Sequence, residues 1–220
     1  QLGNITLSKV AILNTSGDPG GMVQIRAGGF TSDRSFIAAN TLGNVSGAAT
    51  AVDLNVAGGI LLQNGSGIGA DTVGGGRSGD IVIKSGTLGV TSQAKILSST
   101  SGNGNAGDVS ISASSFSLTD PLSQIGSSVN ENQVGAGNAG ALVIDAATVD
   151  ITNGAGIRTA TFGQGNAGLV TIMATEAVRV SGLVRIGNVD VIRSVITSST
   201  VGSGAGDKVT ITAPLISIAD

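Results

Sequence analysis

Gly104-Asn105-Ala106-Gly107-Asp108-Val109-Ser110-Ile111-Ser112-Ala113 returns as Gly137-Asn138-Ala139-Gly140-Ala141-Leu142-Val143-Ile144-Asp145-Ala146, and again as Gly165-Asn166-Ala167-Gly168-Leu169-Val170-Thr171-Ile172-Met173-Ala174. With the central isoleucine as the ruler, looser copies appear on both sides. The ruler falls at Ile25, Leu54, Ile83, Ile111, Ile144, Ile172 and Ile211, in steps of 29, 29, 28, 33, 28 and 39 residues. Self-similarity at such a period is the mark of a repeat architecture, and it outranks any local reading.

Within a repeat, apolar residues alternate in three short runs. Leu142 and Ile144 form the first, Val149 and Ile151 the second, and Ile157 opens the third. Alternation of period two, bounded by Gly, Asn, Asp and Ser, is the strand signal. No stretch combines a 3.6-residue apolar period with caps at both ends, so the chain reads as all-β. Repeats of this kind hide their apolar faces only by stacking on their neighbours. The predicted fold is a right-handed parallel β-helix with about seven coils of roughly 28–29 residues and three short strands per coil. The hand follows the rule for parallel crossovers. Residues 1–220 form a single segment.

The turns fit this fold. Ala27, Ala113, Ala146, Ala174 and Ala213 recur two residues past the ruler, where the chain bends inward. After the second run come Asn64, Ser92, Asp120 and Asn153, types that tolerate a left-handed backbone. Ile83, Ile111, Ile144 and Ile172 should stack inside as an apolar ladder. Asn105, Asn138 and Asn166 fall in register outside, where they serve a tight turn and could add an amide ladder along the axis.

Composition narrows the functions. Gly contributes 36 of 220 residues, charged residues 11%, and the aromatics are four phenylalanines. Cys, His, Trp and Tyr are absent and the net charge is −3. Nucleic-acid binding would call for a basic stripe and stacking aromatics. Common general bases and thiol nucleophiles are missing. Asp80 and Asp108 share one turn position, with Asp207 expected to revisit it after Ala141 and Leu169. This reads as a turn preference, not the carboxylate pair that glycoside hydrolysis needs. No cofactor or metal is expected, and the chain reads as non-catalytic.

Two insertions interrupt the period. One lies near residues 128–137, around Ser128-Val129-Asn130-Glu131-Asn132-Gln133. The other spans 183–195, where Val184-Arg185-Ile186 and Val189-Asp190-Val191 flank Gly187-Asn188. That pair signals a two-residue hairpin with Arg185 opposite Asp190. Arg185, Gly187, Asn188 and Asp190 are the candidate lateral contact. The third runs carry hydroxyls, among them Ser98, Ser99, Thr100, Ser127, Ser128, Thr159 and Thr161. Ice or glycan binding is one reading of this face; solvated β-formers facing water explain it better, and the absence of Trp and Tyr platforms speaks against a glycan module. The alternation already runs at Ile5 and Leu7 and still runs at Ile216 and Ile218, which predicts a piece of a longer chain whose ends meet flanking coils or other copies.

The Gly-Asn-Ala-Gly-x-Val-x-Ile-x-Ala repeat resembles the passenger regions of filamentous haemagglutinin-like two-partner-secretion exoproteins, in particular the large repeat-rich cyanobacterial ones. The resemblance covers nearly the whole chain and is clearest from Gly104 to Ala174. It implies a right-handed β-helix, export of the parent chain through an outer-membrane transporter, and a role in adhesion or surface-fibre formation of Gram-negative type. The family's N-terminal secretion domain is not in this sequence, and the family shares no catalytic residues to carry over. The expected function is a structural segment of a secreted cell-surface fibre or adhesin. Its partners would be other copies, flanking coils or surface glycans. The alternative is a carbohydrate-active or glycan-binding β-helix whose site lies outside this segment.

Overall fold

The computed structural model describes residues 2–129, 137–186 and 190–219, and among these every regular element is a strand. The chain winds as a parallel β-solenoid of about six turns. The ruler holds at every step. Ile25 pairs with Leu54, Leu54 with Ile83, Ile83 with Ile111, Ile111 with Ile144, Ile144 with Ile172, and Ile172 with Ile211. Seven ruler positions bound six turns, which reconciles the two counts.

The first two runs of a coil join into one bent strand. Asp80–Val90, Val109–Thr119, Leu142–Thr152 and Val170–Ser181 each continue through the bend. In Val109–Thr119 the pairs Val109/Ile111 and Phe116/Leu118 all face inward, so the in–out parity must change between them. It changes at Ser114 and Ser115, and pairing with the next coil skips only Ser114. No turn residues are needed because neighbouring coils bend at the same place. The third runs form a separate seven-stranded sheet. There Gln124–Val129 lies between Lys95–Thr100 and Gly156–Thr161.

The inward residues make one continuous core. Ile81, Ile83, Val109, Ile111, Leu142, Ile144, Val170 and Ile172 are essentially inaccessible, as are Ile96, Ile125 and Ile157 on the other sheet. Each such side chain contributes about 1.5–3 kcal/mol by leaving water. It leaves water only when the adjacent coil is in place. Asn64, Ser92, Asp120 and Asn153 take φ of 55°, 53°, 78° and 55°, as their turn position required. Ala27, Ala146 and Ala174 are buried at the inward bend, with Ala113 and Ala213 packed against the core.

The inserted segment after the last full third strand but one forms an antiparallel pair, Leu183–Ile186 with Asp190–Arg193. Its register differs from the expected one. Ile186 faces Asp190 and Arg185 faces Val191. Three residues join the strands where two were expected, and the extra residue slips the pairing by one, so Arg185 and Asp190 do not share a rung. Gly187, Asn188 and Val189 lie outside the described residues, as do residues 130–136 of the other insertion.

Candidate functional site

The most elaborated feature is the corner between the third sheet and the start of the next coil, where the Gly-Asn-Ala-Gly sequence sits. Here the chain leaves the ladder and its peptide groups need other partners. Asparagine supplies them across coils. The Asn138 N–H donates to Asn105 Oδ1 at 2.9 Å, the Asn166 N–H to Asn138 Oδ1 at 2.7 Å, and the Ala205 N–H to Asn166 Oδ1 at 2.9 Å. The alanine that follows each asparagine closes the loop, since the Ala106 N–H donates to the Asn138 carbonyl and the Ala139 N–H to that of Asn166. A side-chain amide rung also forms, Asn138 Nδ2 to Asn105 Oδ1 at 3.3 Å. The asparagines therefore serve the turn and link coils at once. Asn138→Ala is expected to lower unfolding free energy by about 1 kcal/mol, the value of one net hydrogen bond. Asn138→Asp, which keeps the acceptor, should lose less in the same urea titration.

The glycines of this corner are there for room. A Cβ on Gly107 would fall on the Gly79 carbonyl oxygen, one on Gly140 on that of Gly107, and one on Gly168 on that of Gly140.

Alternate hydroxyls of the third strands face inward, not toward water as expected. Ser98, Thr100, Ser127, Thr159 and Thr161 are fully buried. They have the same parity as Ile96, Ile125 and Ile157, so they point inward with them and reach the corner from beneath. The Gly107 N–H donates to Ser98 Oγ at 2.8 Å and the Gly140 N–H to Ser127 Oγ at 2.7 Å. Ser127 Oγ in turn donates to the Gly107 carbonyl at 3.2 Å. A second column, Thr72, Thr100 and Thr161, donates to the carbonyls of Gly76, Gly104 and Gly165 at 2.7, 2.7 and 2.8 Å. Each Gly-Asn-Ala-Gly corner is held from inside by hydroxyls and from outside by asparagines.

The aspartates follow the same logic. The Asp108 N–H donates to Asp80 Oδ1 at 2.9 Å and the Ala141 N–H to Asp108 Oδ1 at 2.8 Å. Arg77 lies 2.7 Å from Asp80 and 3.7 Å from Asp108. Asp207 does not revisit this position. Val170 pairs with Val209, so Lys208 occupies it and Asp207 stands in the glycine position, its N–H on Ser198 Oγ at 2.9 Å. Among the described residues no group of three or more acidic, His or Cys side chains is placed to hold a metal.

Comparison with known proteins adds no relative. No family model, curated protein or solved structure matches the chain.

One ladder member is titratable in an unusual way. The Asp71 N–H donates to Asn40 Oδ1 at 2.9 Å, and Asp71 Oδ1 accepts the Ser99 N–H at 3.0 Å. Burial pushes the Asp71 carboxyl above the ordinary carboxylate range, against the opposing pull of its bonds to Ser99. The folded state therefore binds this proton more tightly than the unfolded chain. Stability contributed at Asp71 rises as pH falls through the folded pKa toward the unfolded value of about 3.9. Asp71→Asn keeps the acceptor and removes the charge. It is expected to melt higher than the parent at pH 7, with the gap closing in acid. Thermal scans across that range check this; a gap independent of pH overturns it.

The hairpin presents Leu183 and Val191 as exposed apolar residues, and Arg185 is exposed as well. No helix among the described residues is long and apolar enough to cross a membrane.

Proposed function

We propose that the chain is a rod-forming, non-catalytic segment of a secreted surface fibre or adhesin of Gram-negative type, in which stiffness and length are the function. The observation that carries this reading is the asparagine corner. Successive coils spend their most distinctive residues on bonds to the next coil, along the axis, instead of gathering them at one point. A chemical site concentrates reactive groups; a rod distributes identical contacts. The parent chain would leave the cell through an outer-membrane transporter. Flanking coils or further copies would extend the rod end to end, and the 183–193 hairpin is its candidate lateral contact.

The test is electron microscopy and fibre diffraction of material isolated from its source. Long rods with an axial spacing near ~4.8 Å are the expected result. Discrete short particles, or an intracellular location by immunogold labelling, would overturn the proposal.

A further inference from the structure

The outer face of the seven-stranded sheet carries a groove of about 340 Å³, lined by Lys95, Leu97, Gln124, Arg158 and Phe162 among others. A smaller hollow of about 100 Å³ shares Lys95, Gln124 and Arg158 with it. Register explains the shape. Gln124 lies between Lys95 and Gly156, and Gly126 lies between Leu97 and Arg158. Gly156, which lines the smaller hollow, leaves one outward position of the sheet without a side chain, and Gly126 leaves a second one bare because a Cβ there would strike the Arg158 carbonyl oxygen. Arg158 lies back over Gly156, where an added Cβ would stand 3.0 Å from its Nε. The base of its guanidinium thereby lies beside Gly156 while the side chain stays exposed at the groove.

The groove holds two cations of a different kind from the paired arginines of the solenoid. Arg26, Arg34, Arg77 and Arg179 each meet a carboxylate. Lys95 and Arg158 meet none among the described residues, and no described carboxylate lines either hollow. Phe162 stands exposed at the rim, in a chain with only four aromatic residues. Ser128 and Ser199 add hydroxyls from neighbouring coils. Cations with no carboxylate partner among the described residues, an amide, hydroxyls and one apolar ring, arrayed along several coils, match an extended ligand that bears carboxylates, hydroxyls and apolar ring faces.

We propose that this groove binds an acidic polysaccharide laid across the coils. Its carboxylates meet Lys95 and Arg158, its hydroxyls meet Gln124, Ser128 and Ser199, and one sugar face packs on Phe162. The net charge of −3 repels polyanions in general, so attraction must be local to this groove. The proposal stands apart from the rod reading, and either can fail without the other.

The experiment is calorimetry and affinity electrophoresis of the 220-residue chain with polygalacturonate, with dextran and a DNA duplex as comparisons. Polygalacturonate should bind, and more weakly as salt is raised. The double variant K95Q/R158Q should weaken binding roughly tenfold, the sum of two exposed ion pairs. Its circular dichroism and melting temperature should match the parent, because neither side chain has a carboxylate partner among the described residues. K84Q, on the outer face of the other sheet, should bind as the parent does. Absent binding to polygalacturonate, equal binding to dextran or DNA, or undiminished binding by the double variant would each overturn the proposal.

Discussion

Gly140→Ala is expected to lower the unfolding free energy by at least about 3 kcal/mol, beyond what one methyl group costs in most buried places. The added Cβ meets the Gly107 carbonyl carbon and oxygen, and Asp108 Oδ1 lies 2.8 Å from it. The first two contacts are backbone, which cannot swing aside. Coils stack at about 4.8 Å, so relief requires prising two of them apart through the whole corner. Gly69→Ala is the matched comparison. A Cβ there has its nearest neighbour, Asp71 Oδ2, at 3.6 Å, which is ordinary contact. That variant should stay within about 0.5 kcal/mol of the parent, or gain slightly by stiffening the unfolded chain. Urea titrations of the three proteins separate the outcomes. Similar midpoints for the two variants would show that glycine at the corner answers to something other than room.

Ser127→Ala is expected to cost about 3 kcal/mol, far more than the loss of a small side chain suggests. The hydroxyl accepts from the Gly140 N–H and donates to the Gly107 carbonyl, both buried. Its removal leaves two main-chain groups without the serine in a dry interior, each worth about 1–3 kcal/mol when unsatisfied. Ser128→Ala, one residue along and on the outer face, removes a hydroxyl that water can replace and should be nearly neutral. If both serines prove equally dispensable in thermal and urea unfolding, the buried hydroxyl column does not hold the corner.

The period was legible because apolar burial and coil stacking impose the same ruler on every repeat. Ile25 to Ile211 could be placed in register from sequence alone, and the left-handed positions from Asn64 to Asn153 followed from their residue types. The third strands were misread by attending to residue type and neglecting parity. Ser98 and Thr100 keep the parity of Ile96, and Ser127 that of Ile125, which already marks them as inward. Polarity argued for water, but a buried hydroxyl with backbone partners is stable. The hairpin register failed because it rests on loop length, and one connecting residue more or less is invisible to alternation. The Lys95–Arg158 groove was not legible at all. It depends on which outward residues become neighbours only after stacking, and on Gly156 leaving a place for the Arg158 side chain to lie.

The bonds between coils also have a direction. At the asparagine corner each coil offers its side-chain acceptors to the coil that follows it, as Asn105 does to Asn138 and Asp108 to Ala141, while the main-chain carbonyls of Asn138 and Asn166 accept in the other direction. At the corner between the second and third runs the direction reverses. There the Ala11 N–H donates to Ser35 Oγ at 3.1 Å, and the Gln93 N–H to Ser123 Oγ at 3.0 Å, so the later coil supplies the earlier. No coil owns a complete set of its own partners. In the language of a one-dimensional chain of spins, this moves stability out of the individual unit and into the couplings between units. Boundaries between folded and unfolded stretches should be costly, and the solenoid is expected to melt in long cooperative blocks instead of fraying one coil at a time.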